Sequence, residues 1–180
     1  LISLTVSRKY ARAFLQIGQK QGNFEALGRE LDQLQALFQG NKELRAVLFS
    51  FAFPAPSRKK IAEEIAKTLG LSKTTRDFLA LLIERERMDH FPEIVKSYQG
   101  LCDEATNRIR ATLVTPAEVP PDRVEEVKKQ LEVRTGKQVI LSQERDPSLI
   151  GGALTRIGNL IYDGSLKTQL SKVRENLYKE

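Results

Sequence analysis

Up to about residue 108 the apolar positions of the chain recur at helical spacing. Val6, Tyr10, Phe14 and Ile17 share one face of a first helix, with Ala11, Leu15 and Gly18 on the adjoining face, so its apolar arc is unusually wide. Gln21 to Asn23 interrupts the pattern. Phe24, Leu27, Leu31, Leu34 and Phe38 then form a regular stripe that ends at Gly40, and Asn41 is placed to cap a third helix holding Leu44, Val47 and Leu48. Phe51 to Pro56 cannot be helical throughout, because each proline disfavours a helical conformation in the residue before it. Its two phenylalanines are expected to plug the helical core. Ser57 is expected to cap a fourth helix carrying Ile61, Ile65 and Leu69, closed by Gly70. A fifth helix is expected from about Thr74 to Met88, and a sixth from near Phe91, with Pro92 in its first turn and Ile94, Tyr98, Leu101 and Ala105 on its buried face. Six helices with short connections predict a compact bundle over residues 1–108.

After Arg108 the period changes from helix to strand. Ile109, Ala111 and Leu113 alternate with Arg110, Thr112 and Val114, and a proline-rich turn follows from Thr115 to Pro121. Asp122 to Glu125 has the character of a capping box before Val124, Val127 and Leu131, and Gly136 ends that helix. Val139 and Leu141 lie on one side of a second strand. Asp146-Pro147 is a turn dipeptide, and Gly151 and Gly152 permit close backbone approach before a strand over 153–157. Gly158 and Asn159 supply a two-residue hairpin turn into a returning strand over Leu160 to Tyr162. Asp163 and Gly164 bend the chain so that Ser165 caps a last helix carrying Leu166, Leu170, Val173 and Leu177. The expected fold is mainly α, an N-terminal six-helix bundle followed by a small α/β module over 109–180. That module is near the size at which a single core is only marginally stable.

Composition narrows the function. An apolar share of 41% supports a real core, while no apolar run approaches the roughly 20 residues a membrane-spanning helix needs. No direct membrane insertion is therefore expected. With 29 Lys and Arg against 23 Asp and Glu the net charge is +6, which raises nucleic acid as a partner. The distribution opposes it. Acidic residues interleave with the basic ones, as in Glu84 to Arg87 and Glu125 to Lys129, and neither zinc-finger spacing nor the glycine and aromatic pattern of an RNA-binding sheet occurs. A small basic helical nucleic-acid-binding protein is the alternative reading.

Candidate chemistry is sparse. The one histidine, His90, precedes Phe91 and Pro92 and reads as a helix-boundary residue. The one cysteine, Cys102, reads as a small core residue. No catalytic, cofactor or metal residue is expected. Leu149 to Gly152 is no phosphate loop, since no Gly-Lys-Ser/Thr follows and the next segment is a strand. Arg58, Lys59 and Lys60 place positive charge in the first turn of a helix, against its dipole, and read as a solvated basic turn.

The run from Asp146 through Gly151 and Gly152, Arg156 to Gly158, and Asp163 to Ser165 resembles the C-terminal signature of the delta subunit of F-type ATP synthases, called the oligomycin-sensitivity-conferring protein in mitochondria. Arg8 to Ala13 resembles the Tyr-Ala-x-Ala segment that opens the family's first helix, and Asp77 to Arg87 its mid-chain apolar, arginine-rich helix. The resemblance implies a noncatalytic peripheral-stalk subunit that binds no ATP and stops the alpha-beta head from turning with the rotor. It implies two partners: the amphipathic N-terminal helix of an alpha subunit, held between the first and fifth helices of the N-terminal unit, and the C-terminal helices of b, held by the C-terminal module. It also implies a peripheral location on the cytoplasmic face of a bacterial inner membrane, or its matrix or stromal counterpart. Tyr10, Ala11 and Ala13 match the family's motif at the alpha-binding groove. Phe14, Phe78, Leu79 and Leu82 are assigned to it by helix face. Asp146, Pro147, Gly151, Gly152, Gly158, Asp163, Gly164 and Ser165 carry the C-terminal signature, with a structural part in the b-contact module.

Overall fold

The computed structural model describes residues 2–149, 151–157 and 160–164. The protein is mainly helical with one small sheet, and the chain divides into two compact units, 1–102 and 103–180. In the first part of the chain α1 spans Ile2–Gln21, α2 Phe24–Gly40, α3 Lys42–Phe49, α4 Ala55–Thr68 and α5 Lys73–Glu84. A 3-10 turn at Met88–His90 leads into α6, Phe91–Ala105.

The apolar stripes of α1, α2, α5 and α6 meet in one core, whereas α4 buries Ala62 and Ala66 and leaves its expected stripe of Ile61, Ile65 and Leu69 only partly covered. Leu27, Leu31, Leu34 and Phe38, the stripe of α2, are all buried, as are Ala11, Phe14 and Leu15 of α1 and Ile94, Val95 and Tyr98 of α6. Each fully buried Leu or Phe contributes about 1.5–3 kcal/mol, so this cluster dominates the unit's stability. Polar bonds fix the helix ends around it. Asn41 accepts from the Leu44 amide at 3.0 Å and caps α3. Ser72 caps α5, and Glu30 of α2 receives the Ser72 amide and hydroxyl together with the Thr75 hydroxyl, which ties α2 to the start of α5. The Tyr98 hydroxyl donates to the Phe24 carbonyl at 2.8 Å.

Several expectations are corrected here. Phe51 and Phe53 are 61% and 44% exposed and plug nothing. The reason lies in the prolines. Pro54 serves as N-cap and Pro56 fits the first turn, so α4 starts at Ala55, ahead of Ser57, and the two phenylalanines fall in the loop before it. The basic turn is likewise not uniformly solvated. Arg58 is 2% exposed, and its Nη1 donates to the Leu48 carbonyl at the end of α3 across 3.5 Å, where a cation complements the helix dipole. Lys59 pairs with Glu84 at 2.7 Å, and only Lys60 is left exposed without such a bond. The fifth helix also ends earlier than its apolar run suggests. Glu86 takes a left-handed φ of 54°, which breaks the helix before the 3-10 turn begins.

In the second unit β1 spans Arg108–Thr115, α7 Pro121–Thr135, β2 Gln138–Arg145, β3 Leu154–Ile157 and β4 Leu160–Asp163. The strand order is β2-β1-β3-β4. β1 and β2 are parallel with Ile109 opposite Val139, as a strand-helix-strand crossover through α7 requires, while β3 and β4 add an antiparallel hairpin on the other side of β1. Ala111, Val139 and Ile157 form its buried centre, with Ile109, Leu131 and Leu141 packed against them. The capping box expected at Asp122 is not formed, because Pro120 occupies the N-cap and offers no side-chain acceptor. Gly136, at φ 64°, closes α7.

Candidate functional site

The first and fifth helices lie side by side and antiparallel. Thr74, at the start of α5, donates to the Gln21 side chain at the end of α1 across 3.1 Å. Further along, the rings of Phe14 and Phe78 stack with centroids 4.2 Å apart. Tyr98 of α6 lies beneath them, 5.4 Å from the Phe14 ring, and burial, with Cys102 beside it, holds its phenol protonated well above the usual tyrosine range. This aromatic layer closes the seam between the two helices from below, and that seam is the candidate trough.

Its walls follow from the helical period. On α1 the residues just outside the buried face recur at spacings of four, three and four: Val6 and Tyr10, half-buried, then Ala13, exposed, and Ile17, 44% exposed. On α5 the corresponding line is Thr74, Phe78, Leu81 and Arg85, with Leu81 41% exposed. The walls thus present apolar surface that the protein's own core does not cover.

The seven residues assigned to the groove divide between floor and walls. Tyr10 and Ala13 stand on the α1 wall. Phe14 and Phe78, 1% and 7% exposed, make the floor. Ala11, Leu79 and Leu82 are at most 1% exposed and lie in the core, so they shape the trough from behind. Ile17 and Leu81 were not among the assigned residues although their positions were readable, Ile17 lying seven residues after Tyr10 and Leu81 three after Phe78. What sequence could not show is which flank of each wide apolar arc the neighbouring helices leave open.

The C-terminal signature residues sit at the turns of the second unit. Asp146 ends β2, its amide donating to the Thr115 carbonyl at 2.9 Å and its carboxylate accepting from the Ser148 amide at 2.9 Å. The Ser148 hydroxyl and amide together hold this carboxyl below the usual aspartate range. Pro147 is exposed in the turn that follows. Gly151 precedes Gly152, whose φ of 83° lies in the region only glycine adopts without strain. Asp163 ends β4. The amide of Gly164 donates to the Ala153 carbonyl at 3.0 Å, and a Cβ on Gly164 would lie 3.1 Å from that oxygen. Gly158, Ser165 and the expected last helix lie outside the described residues.

Exposed apolar residues also mark this unit: Val133 of α7 is 85% exposed, and Leu160, Ile161 and Tyr162 of the edge strand β4 are 61%, 62% and 44% exposed. Among the described residues no helix is long and apolar enough to cross a membrane.

Comparison with known proteins is consistent across sequence and structure. The family model "ATP synthase delta (OSCP) subunit" matches residues 6–177. The ATP synthase subunit delta of Desulforapulum autotrophicum is 39% identical over 175 residues, covering 97% of this chain and 96% of that protein. That of Geobacter metallireducens is 37% identical over 179 residues, covering 99% of each. Among solved structures, a chain of the Toxoplasma gondii mitochondrial ATP synthase hexamer shares the fold, with a TM-score of 0.73 at 18% identity over 96% of this chain and 97% of that one. A chain of the Polytomella F-ATP synthase aligns with a TM-score of 0.50 at 25% identity, covering 53% of this chain and 84% of its own length. These comparisons give no support to the alternative reading of a nucleic-acid-binding protein. The chain belongs to the ATP synthase delta (OSCP) subunit family, the noncatalytic peripheral-stalk component of F-type ATP synthases.

Proposed function

We propose that the two units of this stator subunit divide its work, the helical bundle of roughly the first 108 residues gripping the catalytic head and the α/β module over 109–180 gripping the stalk. The observation that carries the first half is the trough between α1 and α5. Its aromatic floor and its lines of Tyr10, Ala13 and Ile17 on one wall and Leu81 on the other suit an amphipathic helix laid lengthwise with anchors at i, i+3, i+4 and i+7. The occupant is the N-terminal helix of an alpha subunit. The second unit, with its small core and the exposed apolar side chains of β4, holds the C-terminal helices of b. The assembly sits peripherally on the cytoplasmic face of a bacterial inner membrane. A joint that stays closed under rotor torque needs a slow off-rate, and a nanomolar contact supplies roughly 12 kcal/mol where a micromolar one supplies about 8.

Tyr10→Asp tests the trough. It puts a carboxylate where an apolar helix docks, and an unpaired buried charge costs several kcal/mol, so affinity for a synthetic peptide of the alpha amino-terminal segment should fall roughly a hundredfold or more by calorimetry. Circular dichroism should change little, because Tyr10 is only half-buried. Loss of helicity alongside binding would make Tyr10 a core residue, and unchanged affinity with an intact fold would place the alpha contact elsewhere.

A further inference from the structure

The trough is apolar inside and cationic along both rims. α1 carries Arg8, Lys9, Arg12 and Lys20 and not one Asp or Glu in its twenty residues. At 100° per residue, Lys20 and Lys9 fall next to the line of Val6, Tyr10, Ala13 and Ile17 on its solvent side, while Arg8 and Arg12 fall on the opposite flank of the helix. On the facing wall Arg85 continues the line of Thr74, Phe78 and Leu81, and Lys9, Lys20 and Arg85 are all exposed.

Two of the nearby carboxylates are drawn to the other side of α5, while Glu86, next to Arg85, lies exposed just past the helix end. Glu84, which precedes Arg85, is held by Lys59 of α4 at 2.7 Å, and that bond lowers its pKa. Asp77 lines a separate cleft between α4 and α5 with Lys59, Lys73 and Arg76. Among the described residues Lys9, Lys20 and Arg85 form no salt bridge with a carboxylate of this chain, so the rim presents a positive field on either side of an apolar strip.

Resting on the proposed reading of the trough as a helix-binding site, we infer that its occupant is an acidic amphipathic helix, with carboxylates flanking its apolar stripe so that they meet Lys9 and Lys20 on one rim and Arg85 on the other. The division of labour follows from the physics of each group. The exposed apolar walls set how long the helix stays, whereas exposed rim charges are screened and contribute little to a closed complex. Their effect is on encounter: a positive rim steers an acidic helix in and fixes its register, and both effects fade as salt shortens the Debye length from about 20 Å or more to under 8 Å.

The test uses the full-length chain, the alpha amino-terminal peptide, and the same peptide with its carboxylates replaced by amides, followed by stopped-flow or biolayer kinetics. The association rate constant should fall about tenfold between roughly 0.02 M and 0.3 M salt, with dissociation changing less than about threefold. The triple variant Lys9→Gln, Lys20→Gln, Arg85→Gln should associate at the high-salt rate at every ionic strength, and the amidated peptide should do the same on the unaltered chain. Because the three side chains are exposed, the variant should keep its circular dichroism; the amidated peptide tests the same charges without touching the protein. Tight binding that is indifferent to salt, to the triple variant and to amidation would overturn the acidic occupant and leave the helix-binding trough standing. Absence of any binding by the unaltered chain would overturn the trough, and this inference with it.

Discussion

Gly18 is buried where α1 crosses the start of α2, and a Cβ at that position would lie 2.8 Å from the Phe24 Cα and 2.9 Å from the Leu27 Cδ1. One of those neighbours is backbone and cannot rotate aside. Ala normally improves a helix by about 1 kcal/mol over Gly, but an overpacked contact costs about 1–3 kcal/mol, so Gly18→Ala should destabilise the protein by about 1 kcal/mol or more. Gly28 makes the matched control. Its added Cβ would meet the Tyr98 ring at an ordinary 3.4 Å, and there the propensity should win, leaving Gly28→Ala neutral or more stable by up to about 1 kcal/mol. Urea midpoints of the two variants moving in the same direction would refute this account of the α1 and α2 crossing. The sequence places Gly18 on a core-facing arc, but whether a glycine there is a vacancy or a contact depends on Phe24, six residues on and across a turn. The same kind of limit hid Arg58: charge predicts solvation, and only the proximity of the Leu48 carbonyl gives a buried guanidinium an acceptor.

Whole elements were more legible than single side chains, because a helix repeats its signal every turn. The stripe of α2 is buried at Leu27, Leu31, Leu34 and Phe38 and partly buried at Phe24, and the switch to alternation at Arg108 coincides with the first residue of β1. The failures cluster at ends. The sequence assigns caps to Ser57 and Asp122, yet Pro54 and Pro120 occupy the N-cap positions ahead of them and no side-chain cap bond forms. The two wide apolar arcs behind the proposed groove are legible in the sequence; which flank of each stays open is not, since that depends on where the neighbouring helices pack. Sheet order has a consequence for cleavage. β2 pairs with β1 along residues 108–115 and β3 adds a second paired edge over 111–114, so the most accessible bond between the elements lies in the loop before α7. A glutamate-specific protease should nick at the exposed Glu118 well before trypsin cuts at Arg108 or Arg110. Early tryptic cleavage at either arginine would mean that β1 is not the centre of a stable sheet.

On the scale of the whole molecule the two units are unequal. Among the described residues the first unit buries twenty apolar side chains in one cluster, and the second buries five, three of them clustered. Stability scales with buried apolar area, and a module of about seventy residues is near the size at which a single core is marginal on its own. Amides of α2 should therefore exchange with deuterium at least about tenfold more slowly than those of β1 and β2 in the free protein. Equal protection in both units would show that they unfold as one.

The placement of β1 also governs the order in which the protein is made. The helical core is complete once residue 102 has left the ribosome, and at roughly 5–20 residues per second it has several seconds to close before the rest arrives. β1 is synthesised next but has nothing to pair with. Its parallel partner begins at Gln138 and its antiparallel one at Leu154, so the strand waits as an unpaired, apolar edge until most of the remaining chain has emerged. The half of the subunit proposed to meet the head is thus ready during translation, whereas the half proposed to meet the stalk can only form near the end of synthesis. In a cell this makes the stalk-facing half the one with the greater need of a chaperone or of its partner close at hand.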